Sequence, residues 1–291
     1  MNPDNLINPF IVHWDISSSG YGDDTISKVC DELIKSKIFV LNLRDLSNPV
    51  STAAIGILDK LAKTNIKIRL TVKHDALERS MMRILQERRI SLFTETDSIE
   101  KLQSPAAAVA GNVSFSLNKR NFHEIPAVVS CCSKNRIAEL EFPIQRAEDG
   151  EIFYPAPDNI DRLDNELKAI SFEKLKITVH DPFLWKVFNN KGPHEGMGCN
   201  GANTMVYVSP DLEVTPCPLL PVNMGHLQAE TLKKIFSSAK RRQIRKELLA
   251  PPYECRECAI VDNCKGGCRG RTYILQETFD KKDPACRLQS F

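Results

Sequence analysis

Cysteine placement constrains this chain more than any other feature. Of ten cysteines in 291 residues, seven lie beyond residue 198: Cys199, Cys217, Cys255, Cys258, Cys264, Cys268 and Cys286. The other three are Cys30, Cys131 and Cys132. A segment with that density is stapled either by disulfides or by metal or cluster ligation. Met1 to Asn8 is polar and lacks the basic-then-apolar order of a secretory signal, and no run of about 18 apolar residues predicts a membrane span. These features imply a cytoplasmic, reduced chain, in which ligation is a better reading than disulfides. A formal net charge of +2 gives no ground for a nucleic-acid partner.

The first half alternates short apolar runs with helical periodicity. Phe10 to Ile16, Ile38 to Leu43 and Ile66 to Val72 read as strands. Ile26, Val29, Cys30, Leu33 and Ile34 recur at the spacing of one helix face, as do Ala54, Ile57, Leu58 and Leu61, and then Leu77, Met81, Ile84 and Leu85. Further strands are expected near Leu92, at Val113 to Leu117 and at Ala138 to Phe142. Strands alternating with single helices predict an α/β fold with parallel pairing, as an open sheet or a full or partial barrel. The polar stretch from Arg146 to Asp158 reads as a surface insertion, followed by a helix at Ile160 to Ile170 and a strand at Leu175 to Val179. In this reading Cys30, Cys131 and Cys132 are structural, Cys30 as a small hydrophobe on a helix face.

The pattern changes after Lys191. Met205 to Val208 and Val214 to Pro216 predict a hairpin turning at Pro210-Asp211, and Thr231 to Leu248 predicts a helix with a solvated basic face at Lys240, Arg241, Arg242, Arg245 and Lys246. Beyond Pro251-Pro252 the cysteines stand where an apolar core would. Cys255-Arg-Glu-Cys258, Cys264 five residues on, and Cys268 after Lys265-Gly266-Gly267 place thiolates on a glycine-containing loop that can wrap a cubane iron–sulfur cluster. Gly266 and Gly267 let the backbone turn and approach inorganic sulfide. Structural zinc is the main competitor, although only one Cys-x-x-Cys pair is present where paired knuckles are usual.

The run Cys199-Asn-Gly-Ala, Val208-Ser-Pro-Asp211, Val214-Thr-Pro-Cys217-Pro218-Leu219, Gly225, Cys255-x2-Cys258-x5-Cys264-x3-Cys268 and Asp283-Pro-Ala-Cys286 resembles a SPASM domain. That domain is the auxiliary-cluster module of radical S-adenosylmethionine (radical SAM) enzymes that modify ribosomal peptides and haem precursors. The resemblance departs at Leu212, where glycine is usual after the hairpin aspartate. It implies a partial (β/α) barrel of radical SAM type over residues 1–190 and a small loop-rich SPASM domain over 191–291. It also implies two [4Fe–4S] clusters. Cys255, Cys258, Cys264 and Cys286 would hold the distal one, and Cys199, Cys217 and Cys268 the proximal one, which leaves one proximal iron open or bound by another ligand such as His194.

Two family landmarks are missing from the first half. The segment after the first strand, Ser17-Ser-Ser-Gly-Tyr-Gly-Asp23, has no cysteine where the family carries Cys-x3-Cys-x2-Cys. Arg44-Asp-Leu-Ser-Asn-Pro49 replaces Gly-Gly-Glu-Pro. The resemblance is therefore to a degenerate member, with S-adenosylmethionine not expected as a cofactor. The implied role is a non-catalytic accessory that relays electrons to, or presents substrate for, a radical SAM peptide-modifying enzyme, its partners being that enzyme or a precursor peptide. The alternatives are an enzyme that uses the open iron of an auxiliary cluster, and a structural zinc-binding interaction protein. Membrane and nucleic acid are not expected as partners.

Overall fold

In the computed structural model, residues 6–17, 20–76, 85, 90–103, 111–148, 150–188 and 198–286 are described. The chain folds as α/β, with mostly parallel strands. It forms two compact units, each drawn from two segments: residues 1–94 with 200–246, and 95–199 with 247–291. The division expected at residue 190 follows composition, whereas these units follow packing.

The first unit is organised around β1 (Ile11–Asp15), which pairs in parallel with β2 (Val40–Asp45) and has β8 (Met205–Val208) on its other side, also parallel. Between β1 and β2 runs α1 (Asp23–Lys35), with acids in its first turn and a lysine in its last, matching the helix dipole. Its buried face is Ile26, Val29, Cys30 and Leu33; Ile34, expected on that face, is 39% exposed. The next helix, α2 (Thr52–Leu61), begins where the Ser51 hydroxyl accepts the Ala54 N–H, and it buries Ala54, Ile57, Leu58 and Leu61 as the spacing predicts. It leads to β3 (Lys67–Lys73), parallel to β2. A following strand, β4 (Ser91–Thr96), spans the division between the units. Of the expected helix face Leu77, Met81, Ile84 and Leu85, only Leu85 falls among the described residues, where it is helical and buried. Alternation along β1 puts Val12 and Trp14 on one face and His13 and Asp15 on the other, all four buried.

The hairpin is antiparallel as expected, β8 against β9 (Glu213–Thr215), with β10 (Gly225–His226) beyond it. Leu212 takes the left-handed conformation, φ +67°, that glycine would adopt without strain, and its side chain is 1% exposed. Burial of the leucine is what the substitution gains in return. The expected single basic helix is two, α7 (Leu232–Phe236) and α8 (Ala239–Leu249), parted at Ser237-Ser238.

The second unit contains α3 (Ile99–Leu102), β5 (Asn112–Phe115), α4 (Ile125–Lys134), β6 (Glu139–Phe142), α5 (Pro157–Leu167), β7 (Lys176–Val179) and α6 (Pro182–Phe188). Strands β5, β6 and β7 pair in parallel. Val113, Phe115, Val128, Val129, Leu140 and Leu163 centre an apolar core. The Arg146–Asp158 stretch is not a simple surface insertion: Ile152 is buried, Phe153 packs on the core, and the Gln145 side-chain amide makes both backbone hydrogen bonds of Phe153, at 2.7 and 2.8 Å. No helix among the described residues is long and apolar enough to cross a membrane.

Candidate metal centre

Four of the sequence-predicted cysteines meet in the second unit. Cys255, Cys258, Cys264 and Cys286 line one cavity of about 440 Å³, whose other walls include Ile160, Phe183, Val187 and Lys186. Local backbone chemistry aims each sulfur. Pro252 starts a single 3-10 turn ending at Cys255, and the Cys258 N–H bonds the Cys255 carbonyl at 3.0 Å. Cys264 closes a one-turn helix, α9 (Val261–Cys264), which stops because Lys265 turns left-handed at φ +52°. Gly266 and Gly267 continue at φ +87° and +78°, and their N–H groups point at the Cys264 sulfur. A Cβ on Gly266 would meet Pro252 at 2.6 Å, and one on Gly267 would meet Asp283 at 2.6 Å, so only glycine fits either position.

These thiols hold one another's protons. Burial, and then the neighbouring Cys286, Cys264 and Cys258, push the Cys255 thiol up to about 11. Burial raises Cys264 too, partly opposed by the two glycine N–H groups. A set of thiols that resist ionising together becomes a set of thiolates when a cation arrives. No three His, Cys, Asp or Glu side chains among the described residues converge on a single-ion point. The four sulfurs instead stand around a cavity, an arrangement that fits a polynuclear iron–sulfur group, whose irons each take one thiolate.

Asp283 ties this cradle together, a role the sequence reading did not assign. It is fully buried and accepts the Cys268 N–H at 2.6 Å and the Ala285 N–H at 2.9 Å. Arg271, on α10 (Arg269–Gln276), grips both its oxygens, from Nε at 2.8 Å and from Nη2 at 2.7 Å. The remaining nitrogen, Nη1, reaches Asp181 at 2.5 Å, and Asp181 caps α6 by accepting the Phe183 and Leu184 N–H groups. One buried guanidinium thus fixes the Cys264–Cys268 loop, the Cys286 segment and the helix that lines the cavity. From sequence, Arg271 beside Cys268 reads as a donor to sulfide or to a substrate carboxylate, or as a solubilising cation; the carboxylate it grips is the chain's own Asp283.

Cys268 and Cys199 also lie within electrostatic range of each other in this unit. Burial pushes Cys268 up to about 12, with Arg271 opposing and Cys199 adding a smaller upward push. Cys217 belongs to the first unit, where its carbonyl accepts the Thr215 hydroxyl at 3.0 Å and the Leu220 N–H at 3.1 Å. His194 lies outside the described residues. The basic face expected on α8 is corrected by burial. Arg241 and Arg245 are 2% and 7% exposed, and they donate to the Ala202 carbonyl at 2.6 Å and the Gly201 carbonyl at 3.3 Å; only Lys240, Arg242 and Lys246 face solvent.

The segment after β1 is closed by a tyrosine. The Tyr21 hydroxyl accepts the Ser17 N–H at 3.1 Å and the Trp14 Nε1–H at 3.3 Å, and it donates to the Pro210 carbonyl of the hairpin at 2.8 Å. After β2, the fully buried Asp45 accepts the Ser47 and Ser51 N–H groups, while Arg44 pairs with Asp15 at 3.2 Å.

Comparison with known proteins places this geometry. Residues 199–259 match the SPASM family, an iron–sulfur cluster-binding domain. An AdoMet-dependent heme synthase of Methanosarcina barkeri is 24% identical over 195 residues, 60% of this chain and 55% of that enzyme. A cysteine-type anaerobic sulfatase-maturating enzyme of Clostridium perfringens is 32% identical over 82 residues, 27% of this chain and 22% of that enzyme. The chain thus spans about half the length of the first relative and about a fifth of the second. Streptococcus suis SuiB bound to the precursor peptide SuiA superimposes with a TM-score of 0.75 at 12% identity, over 98% of this chain and 77% of that one. The structure of anSMEcpe with bound AdoMet and Cp18Cys peptide gives 0.68 at 16% identity, over 96% and 94%. Residues 199–259 therefore carry the likeness to the SPASM iron–sulfur cluster-binding domain, and the likeness to SuiB and anSMEcpe is one of fold.

These findings overturn the non-catalytic accessory reading. The relatives matched by sequence are an AdoMet-dependent heme synthase and a sulfatase-maturating enzyme, and a structural neighbour holds AdoMet, the cofactor not expected for this chain.

Proposed function

We propose that the chain is an iron–sulfur enzyme acting on a peptide, with its metal chemistry at the cysteine module of residues 191–291. The observation that carries this reading is the cavity walled by Cys255, Cys258, Cys264 and Cys286, backed by two glycines and locked by Asp283. In this reading those four thiols saturate a distal cluster, and a proximal one, with Cys199 and Cys268 among its ligands, keeps an iron not met by cysteine. Such an iron supplies a Lewis-acid position for a substrate heteroatom, and the clusters supply one-electron transfer. The protein's own part is to hold the thiolates, exclude water with Ile160, Phe183 and Val187, and keep the loop rigid through Arg271 and Asp283. Peptide is the substrate class because the structural neighbours SuiB and anSMEcpe were solved with peptides bound. A reducing cytoplasm suits ten free thiols.

The test begins with anaerobic loading with iron and sulfide, which should give about eight irons per chain and absorption near ~400 nm. Reduced protein is then incubated with S-adenosylmethionine and a peptide library, with mass spectrometry of the peptides and chromatography for 5′-deoxyadenosine. A peptide mass change lost in Cys264→Ala supports the reading, whether or not 5′-deoxyadenosine accompanies it. Stoichiometric zinc without the absorption, or unaltered peptides from the fully loaded protein, sinks it.

A further inference from the structure

Arg269 directly follows Cys268 and opens α10, yet its side chain is 1% exposed. Its Nη2 donates to the Phe279 carbonyl, and the guanidinium faces the Phe279 ring with its centroid 5.8 Å away. The other two donor nitrogens, Nε and Nη1, are buried and meet no acceptor among the described residues. Unmade bonds from a buried cation cost its full desolvation, so a fold keeps such a group only where something accepts from it. The surroundings say what accepts. A Cβ on Gly266 would stand 2.7 Å from Nη1, so that nitrogen is aimed at the glycine turn between Cys264 and Cys268. The charges that act on Arg269 against the pull of burial are, first, Cys199 and Cys255. One of these sulfurs belongs to each of the two thiol sets.

We infer that Arg269 is a positioning residue shared by the two cluster sites, its unpaired donors bonding sulfur and its charge raising both reduction potentials. The inference rests on the cluster reading above. The direction follows from charge. One electron from an external reductant enters a cluster and makes it more negative, while Arg269 keeps its proton throughout. A fixed cation with N–H donors to sulfur therefore stabilises the reduced state over the oxidised one. Because one guanidinium serves both sites, its loss must shift both potentials in the same direction. Arg256 is the natural control: it is exposed, stacks on the Tyr253 ring at 4.9 Å and also neighbours Cys255 in sequence.

The experiment is an anaerobic redox titration of the full chain loaded with iron and sulfide, followed by electron paramagnetic resonance, with dithionite as reductant. Iron and sulfide content of the unaltered protein tests the cluster reading separately. Arg269→Leu should lower both potentials by at least tenfold in the one-electron equilibrium, about 59 mV. Arg269→Lys, which keeps the charge and loses the fork, should lower both by less, and Arg256→Leu should change neither. Should Arg269→Leu lose its iron, Arg269→Lys alone carries the decision through its smaller fall. Unchanged potentials in every iron-retaining Arg269 variant, or a shift confined to one cluster, overturns the inference.

Discussion

The apolar core of the second unit and its cysteine module bury side chains of opposite kinds. In the core, Val113, Phe115, Val128, Val129 and Leu140 are all fully buried, and hydrocarbon meets hydrocarbon. Among the described residues from 247 onward the buried apolar side chains are Leu248, Pro252, Ala285 and the thiol of Cys255, beside the buried Arg269, Arg271, Thr272 and Asp283. The first interior stabilises itself through area removed from water. The second holds desolvated charges and protonated thiols, which contribute little until a charged group binds among them. Packing accounts for the first region, and ligand chemistry must account for the second.

The largest expected effect breaks the module and spares the core. Cys255→Ala or Cys264→Ala should abolish iron loading of the cradle and leave residues 247–286 open to protease. Cys30→Ala, a change within the buried face of α1, should cost about 1 kcal/mol and leave that protection intact. Limited proteolysis with mass mapping is the measurement. Equal resistance of the tail in all three variants would show that the module folds by packing alone.

Next in size is the charge lock. Asp283→Ala strands the Arg271 guanidinium and the Cys268 N–H, and should cost about 3–5 kcal/mol, as removal of one partner from a buried pair does. Leu140→Ala in the apolar core should cost about 2–5 kcal/mol through its cavity. The two variants should differ in kind. The Asp283 variant loses iron per folded chain, whereas the Leu140 variant loses stability and keeps its iron. Denaturation monitored beside iron content separates them, and identical iron loss in both would erase the distinction.

The same contrast governs what could be read from the sequence. Where interiors are apolar, periodicity was enough: Val12 and Trp14, the Ile26–Leu33 face and the Ala54–Leu61 face are buried as spacing predicts. Helix α4 escaped notice because Ile125-Pro-Ala-Val-Val-Ser-Cys-Cys-Ser-Lys134 is too uniformly apolar and small to show a face. The cysteines were legible as a set through their spacing, and four of them do line one cavity. The arginines were less so. Arg241 and Arg245 look like solvated cations in sequence, while Arg269 and Arg271, from their place beside Cys268, read either as donors to cluster sulfide or a substrate carboxylate or as solubilising cations; all four are buried, with carbonyl and carboxylate partners from other segments. Leu212 at positive φ was likewise flagged only as a departure, and its compensation by burial needed the fold.

The smallest effect concerns protons. Burial raises thiols in both regions: Cys30 to about 11 and Cys132 to about 12 in the α/β part, Cys255 to about 11 and Cys268 to about 12 in the module. An unfolded cysteine ionises near 8.5, so each folded value is raised. The apoprotein therefore has the full stabilisation from its protonated thiols below about pH 8.5 and loses it as pH climbs through 11 to 12. Iron changes this for one pair only. When Cys255 and Cys268 become cluster ligands their protons leave at neutral pH, whereas Cys30 and Cys132 keep theirs. Loading at pH 7 should release protons in proportion to the cysteines bound, and Cys30 and Cys132 should remain slow to alkylate in both forms. Their rates should rise about tenfold per pH unit, since the thiolate is what reacts. Proton release measured in weakly buffered solution, with alkylation mapped by mass spectrometry, decides the matter. Loading without proton release would mean the module's thiols were already ionised, and the parallel between the two buried pairs would fail.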